Sequence, residues 1–253
     1  MGFSDHFSTQ SVVYAEFRPN YPEEIFAWLS SQCKERNLCW DAATGNGQAA
    51  EALAGYFARV YASDGSASQI AAARKSANIE YAVEVAEQTR LTAESCDLVT
   101  VAQAYHWFDH AKFHAEVSRV LKPAGVLAVW GYGLHEVTPQ IDAVTREYYH
   151  DVVGAYWPAE RRHVENHYAE IAFPFAEMPT PQWQIRAEYS LPELLGYLES
   201  WSATQRYRKE NSKDPLALVK TKLAAVWGHA KTRSVRWPIF MRVGRKNHSA
   251  LGF

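Results

Sequence analysis

One stretch of the chain constrains the fold more than any other: a short apolar strand, a turn with two glycines, a helix and a second strand. Leu38-Cys39-Trp40 leads into the turn Asp41-Ala42-Ala43-Thr44-Gly45-Asn46-Gly47, and alanines and leucines follow at helical spacing. Val60-Tyr61-Ala62 predicts the second strand, which ends at Asp64. This order predicts two parallel strands joined by a right-handed crossover.

The same alternation continues along the next part of the chain. Apolar runs predict strands over 79–85, 98–101 and 126–130, and a helix over 113–121 that Pro123 ends. Strands that alternate with helices predict an α/β fold around a parallel sheet.

After Gly133 the alternation stops. Residues 134–181 contain five prolines around two predicted helices, 140–153 and 159–171, which indicates a helical cap inserted into the fold. We therefore predict a single domain, 1–253, made of three segments: a ligand-binding core at 1–133, the cap insert at 134–181 and a segment at 182–253 that completes the sheet.

Composition narrows the function. The net charge is −2 and no long basic cluster occurs, so nucleic acid is not an expected partner. Three cysteines without paired or metal-ligand spacing suit a reducing cytosol, and no apolar run reaches membrane-spanning length. We expect a soluble cytoplasmic protein that acts on a small molecule, without a membrane partner; the sequence does not predict its oligomeric state.

The turn and the two acids around it predict a nucleoside-binding site. In open α/β sheets a ligand lies beyond the carboxyl ends of the strands, and glycines let the backbone approach it closely. Gly45 and Gly47 supply that turn, while Asp64 stands at the end of the next strand, where an acid can accept both ribose hydroxyls.

The turn also fits the dinucleotide fingerprint Gly45-x-Gly47-x-x-Ala50. NAD would place its pyrophosphate against a turn that carries the acid Asp41, which would repel it. S-adenosylmethionine has no phosphate and offers an ammonium and a sulfonium, an attraction of roughly a few kcal/mol. The acid favours S-adenosylmethionine as the cofactor. An NAD-dependent oxidoreductase and a non-catalytic cofactor-binding protein stay open as alternatives.

Residues 38–131 resemble the class I S-adenosylmethionine-dependent methyltransferases in the order of their motifs. Asp41 to Gly47 resembles the first motif, Asp97 to Gln103 the fourth-strand motif, and Leu121 to Gly125 the turn before the fifth strand. The resemblance implies a Rossmann-like, seven-stranded, mostly parallel sheet with helices on both faces. It also implies cofactor contacts from Asp41, Ala43, Thr44, Gly45, Gly47, Asp64, Gly65, Ser66, Ala86, Glu87 and Gln103.

Two positions depart from this family pattern. Ala43 replaces the first glycine of the turn, and an alanine fits this position if its backbone angle φ is negative. Val85 replaces an acid that contacts adenine in many relatives.

A narrower resemblance covers three further segments. Residues 14–22, 103–108 and 200–202 resemble the methyltransferase branch that contains trans-aconitate methyltransferase-like enzymes. It implies that Tyr14 and Arg18 contact the cofactor, although Arg18 could equally form a structural salt bridge.

His106 follows the fourth strand, where three interpretations remain open: general base, hydrogen-bond partner of the substrate, or packed structural residue. Trp107 could stack on the adenine, line the substrate pocket or pack in the core, and Trp201 is a candidate for the substrate pocket. The cap insert, with Trp157, Trp183 and Trp201 in or near it, could be a lid over the pocket or a static cap. A carboxylate acceptor is ionised at neutral pH and needs no base, so an ester product would require no obligatory catalytic residue. We expect no metal, because His163 and His167 lack the His-Glu-x-x-His motif and fit a solvated helix face.

Overall fold

The computed structural model describes residues 19–247, so Tyr14 and Arg18 lie outside the described residues. Its centre is one eight-stranded sheet. In chain order the strands are β1 (Leu38–Ala42), β2 (Arg59–Asp64), β3 (Ile79–Val83), β4 (Cys96–Ala102), β5 (Leu121–Tyr132), β6 (Ala176–Met178), β7 (Trp183–Tyr189) and β8 (Arg233–Arg245).

The strands lie in the order β3-β2-β1-β4-β5-β8-β6, and β7 also pairs with β8. The first five strands are parallel, whereas β8 runs antiparallel to β5. β6 and β7 pair with opposite halves of the long β8, so the eight strands occupy seven positions. The predicted Rossmann-like α/β fold is confirmed.

Helices cover both faces of this sheet, as parallel strands require. The α-helices are α1 (Glu23–Ser31), α2 (Gln48–Leu53), α3 (Ala67–Ala72), α4 (His110–Val120), α5 (Pro139–Glu147), α6 (Arg161–Glu165), α7 (Leu191–Glu199), α8 (Ser202–Asn211) and α9 (Lys220–Trp227). Across residues 19–247, no helix is both long and apolar enough to span a bilayer.

Side chains that alternate along the central strands divide the core in two. Cys39 faces a cluster that includes Phe26 of α1 and Leu53 of α2, whereas its neighbour Trp40 faces a cluster that includes Phe113 of α4. The order of the strands reverses between β1 and β4, and the glycine turn follows β1. The fold therefore places this turn at the switch point where open α/β sheets bind ligands.

The predicted cap segment is less helical than its sequence suggests. α5 continues into a single π-turn, Tyr148–Val152, but α6 ends at Glu165 because His167 and Tyr168 have φ angles of +52° and +60°, outside the helical range. The helix predicted over 159–171 is therefore wrong in extent.

Two other details of the cap segment differ from expectation. His163 and His167 do not share a helix face; the His167 ring stacks on Phe240 instead, with centroids 4.6 Å apart. β6 lies inside the segment but joins the sheet. The three-segment division of the chain stays a prediction.

Candidate active site

Three residues of the turn after β1 adopt left-handed backbone conformations. The φ angles are +52° at Ala43, +59° at Gly45 and +87° at Gly47. A methyl group on Gly47 would clash with the Tyr81 hydroxyl, whereas one on Gly45 would have a single neighbour within 4 Å among the described residues, Gln69 Oε1 at 3.9 Å. The close contact with Tyr81 therefore favours glycine at position 47, and the described residues leave space beside Gly45.

Ala43 does not satisfy the condition of a negative φ under which an alanine fits this position easily. Left-handed geometry brings its methyl group close to a carbonyl oxygen and costs roughly 1–2 kcal/mol. The turn therefore adopts a left-handed backbone at residue 43 without a glycine there, at a cost in local strain.

Asp41 lies beneath the turn and is only 1% exposed. Its Oδ2 accepts a hydrogen bond from Thr44 Oγ1 at 2.5 Å, and its Oδ1 accepts one from Thr100 Oγ1 of β4 at 2.7 Å. Burial raises the pKa of this carboxyl to about 6, although the two threonine hydrogen bonds oppose the rise. Asp41 ties the turn to β4 from below, so any influence of its charge on a ligand acts through the turn.

Asp64 ends β2 beside the open side of the turn. Its Oδ2 accepts from the Gly45 backbone N–H at 2.9 Å, and its Oδ1 accepts from the Ser66 N–H at 2.8 Å. Each carboxylate oxygen can accept a second hydrogen bond, as two ribose hydroxyls require. Asp64, Gly65 and Ser66 thus form a cradle at the end of β2, where the family resemblance predicts the ribose of S-adenosylmethionine.

The turn after β3 supplies the predicted adenine side of the site. Ala86 is buried, and Glu87 Oε1 accepts a hydrogen bond from the Asp109 N–H at 2.9 Å. Val85, on the same turn, is 39% exposed and offers an apolar surface where many relatives carry an acid. Glu87 fixes the loop that precedes α4.

Gln103 joins the ends of two strands. It has a φ of +58°, its Nε2 donates to the Tyr132 carbonyl at 3.0 Å, and its Oε1 accepts from the Tyr132 N–H at 3.0 Å. The amide predicted to contact the cofactor thus holds β4 against β5, and it shapes the cavity that begins there.

A cavity opens beyond the carboxyl ends of β4 and β5. The predicted substrate residues His106, Trp107 and Trp201 all line it. Trp183 packs against Trp28 instead, with ring centroids 5.3 Å apart. The remaining lining residues are Gln103, Tyr132, Gly133, Leu134, Trp157, Pro158, Arg161, Tyr197, Ser200 and Ser202.

His106 is 7% exposed at the wall of this cavity. Its Nδ1 lies 3.3 Å from Tyr168 Oη, and its ring lies 4.7 Å from that of Trp107. Burial, together with the nearby Arg161 charge, lowers the pKa of His106 to about 3. The ring is therefore neutral at pH 7 and is a poor proton acceptor.

Two cap-segment residues also line the cavity: Trp157, which the sequence suggests as part of a lid, and Arg161, which the sequence does not assign to the site. The Arg161 guanidinium lies 4.8 Å from the Trp157 ring centroid, and its Nε donates to Tyr149 Oη at 2.8 Å. Only long-range contacts bring these side chains to the strand ends. Five prolines in irregular positions provided no periodicity from which to place them.

Comparison with known proteins agrees with this geometry. Residues 40–129 match the methyltransferase domain family. A methyltransferase of Dictyostelium discoideum is 35% identical over 252 residues, which cover 96% of each chain. The solved structure of a type II methyltransferase from Anaeromyxobacter dehalogenans is 41% identical, with a TM-score of 0.86 over 91% of this chain and 99% of that one.

A more distant structure shows the same fold. A methyltransferase from an antibiotic biosynthesis pathway of Anabaena variabilis is 16% identical and has a TM-score of 0.54, over 90% of this chain and 99% of that one. The motif order and the similarity to the Dictyostelium and Anaeromyxobacter methyltransferases decide against an oxidoreductase that uses the same turn for NAD. The chain belongs to the class I S-adenosylmethionine-dependent methyltransferases.

Proposed function

We propose that this enzyme methylates a small molecule bound in the cavity, and that the methylated atom is a carboxylate oxygen. The proposal is carried by one observation: the described lining of the cavity offers no effective base. It contains no Asp, Glu or Lys, and its histidine, His106, has a pKa lowered to about 3.

The chemistry of the acceptor follows from that lack. A hydroxyl or an ammonium group must lose a proton before or during methyl transfer, and a positioned base with a pKa near the working pH serves this purpose best. A carboxylate, with a pKa near 4, is already ionised and brings its own nucleophilic lone pairs. The cavity suits an acceptor of this kind.

S-adenosylmethionine supplies a methyl group that its sulfonium already activates. The protein's own contribution is then to hold the acceptor oxygen in line with that methyl group and to keep water away. Trp107, Trp157 and Trp201 supply aromatic surface for this, and the cap segment contributes Trp157, Pro158 and Arg161 to the lining. The small cavity and the absence of a long basic cluster favour a small molecule over a macromolecule.

Product chemistry tests the proposal. Purified enzyme is incubated with S-adenosylmethionine labelled in its methyl group and with a panel of mono- and dicarboxylic acids. We expect a labelled product that mild alkali hydrolyses to methanol, because esters are cleaved under conditions in which methyl ethers and methylamines survive. An Asp64→Asn variant, with a weakened ribose cradle, controls for label transfer independent of the site. A labelled product that resists alkali would refute O-methylation of a carboxylate.

A further inference from the structure

Arg161 is a partly buried cation in the wall of the cavity. It begins α6, and its guanidinium lies 4.8 Å from the Trp157 ring centroid and 5.5 Å from that of Tyr149. Its Nε donates to Tyr149 Oη, which in turn donates to Glu165 Oε1 at 2.5 Å. Stacking and one hydrogen bond therefore fix the orientation of the guanidinium plane.

Among the described residues, no acid forms an ion pair with this cation, and Glu165 is linked to it only through Tyr149. Arg119 pairs with Glu116 and Arg242 with Glu177, whereas Arg233 and Arg245, which form no ion pair, donate Nη atoms to backbone carbonyls. The two Nη atoms of Arg161 make no hydrogen bond among the described residues. A charge taken partly out of water without a partner is costly, and fixing it in place adds to that cost. A bound anion would compensate for both.

The shape of the guanidinium indicates which anion fits and how. Its planar fork matches the two oxygens of a carboxylate, which it binds through two parallel hydrogen bonds. Those bonds occupy the oxygen lone pairs and reduce their nucleophilicity, so the group held by Arg161 is not the one that attacks the methyl carbon. The substrate must then carry a second group as the acceptor.

The aromatic walls of the cavity indicate which part of the substrate lies between the carboxylate held by Arg161 and the group that accepts the methyl. The Trp157 and Trp201 rings lie 5.5 Å apart at an angle of 49°, and both face the cavity that His106 also lines. Flat or slim apolar bodies pack well against such rings.

We propose that Arg161 is the specificity-determining residue of the site: it anchors a non-reacting carboxylate of the substrate, so the preferred acceptors are dicarboxylates whose apolar body lies against Trp157 and Trp201. This rests on the proposed function for the identity of the reacting group. The anchor itself requires only that the cavity bind an anion through Arg161.

Matched probes test the anchor. Six probes are used: isophthalate and glutarate, each as the diacid, the monoamide and the diamide. Tryptophan fluorescence in the presence of S-adenosylhomocysteine measures their binding, and labelled methyl transfer measures their turnover. We expect the wild-type enzyme to bind at least one diacid about tenfold or more tightly than its diamide, as one charge-assisted bidentate contact allows.

Variants assign that preference to a residue. Arg161→Gln should abolish it and raise KM with little change in kcat, and Arg161→Lys should retain part of it. Arg162→Gln, which removes an exposed arginine next in sequence, should change neither. Calorimetry with S-adenosylhomocysteine shows whether each variant still folds and binds the cofactor product.

The outcomes separate the two proposals. If the diacid preference persists in Arg161→Gln, if wild type binds diamides as well as diacids, or if wild type binds none of the six probes, Arg161 is not a carboxylate anchor. If the preference for diacids in the fluorescence binding assay depends on Arg161 but the methylated product resists alkali, Arg161 is a carboxylate anchor and carboxylate O-methylation is wrong.

Discussion

Asp41, the acid before the glycine turn, is assigned to the site by its motif but acts on the site indirectly. From its place in the motif, Asp41 is expected to select a positively charged cofactor. In the structure both of its carboxylate oxygens accept hydrogen bonds from threonines, and its pKa is about 6. Its position could be predicted from the motif. Its burial could not, because Thr100 comes from a strand 59 residues away.

The raised pKa of Asp41 predicts a pH-dependent effect on stability. Because the folded-state pKa of about 6 exceeds the unfolded value of 3.8, the folded protein binds this proton more tightly, and the resulting stabilisation is lost as pH rises from 4 through 6. Relative to Asp41→Asn, the wild-type free energy of unfolding should fall by about 2–3 kcal/mol between pH 4 and pH 7. Urea unfolding of both ligand-free proteins measures this, and a constant difference across that range would contradict it.

His106 should contribute by contact and not by proton transfer. With a pKa lowered to about 3, it stays neutral from pH 6 to pH 8, so the rate should show no inflection from this residue in that range. His106→Asn, which keeps hydrogen-bonding capacity, should lower kcat by less than about tenfold, the scale of one lost hydrogen bond. Steady-state kinetics of a variant with normal cofactor affinity checks this, and a loss of several hundredfold would establish His106 as a base.

At the scale of elements, strands were more predictable than helices. The apolar runs located β1, β2, β4 and β5, because strands buried on both faces have continuous apolar sequences. β8 begins at Arg233, so Pro238 lies inside the strand. Pro238 lies opposite Gln184 of β7 and just outside the pairing with β5, which begins at Ile239, so a proline without an N–H is tolerated there.

The junction of β4 and β5 supports the cavity through Gln103. Gln103→Ala removes both hydrogen bonds to the Tyr132 backbone, so it should destabilise the protein by about 2 kcal/mol. It should also raise the acceptor KM more than the dissociation constant for S-adenosylhomocysteine, because Tyr132 lines the cavity. Gln103→Glu keeps the acceptor for the Tyr132 N–H but turns a carboxylate oxygen toward the Tyr132 carbonyl, so it should not restore wild-type stability. Urea unfolding and calorimetry measure the effects, and an Ala variant as stable as wild type would show that the clamp is dispensable.

At the scale of the whole molecule, the two halves of the site differ in how far sequence could predict them. The cofactor half is built from consecutive turns of one β-α-β pattern, so local order was enough to bring Gly45 and Asp64 together. The proposed acceptor half joins a strand end to a cap segment, and the cation proposed as its anchor, Arg161, lies 55 residues beyond His106 in the chain. Local patterns carry no information about such contacts.

The central claim is that the cradle at the ends of β1 and β2 binds S-adenosylmethionine through Asp64. Calorimetric titration of wild type and Asp64→Asn with S-adenosylhomocysteine, with NAD as the control ligand, tests it most directly. We predict that wild type binds S-adenosylhomocysteine saturably and does not bind NAD. The affinity of Asp64→Asn for S-adenosylhomocysteine should be weaker by about tenfold or more, because the variant lacks a charged acceptor. Equal affinity in the two proteins, or binding of NAD in preference to S-adenosylhomocysteine, would contradict the claim.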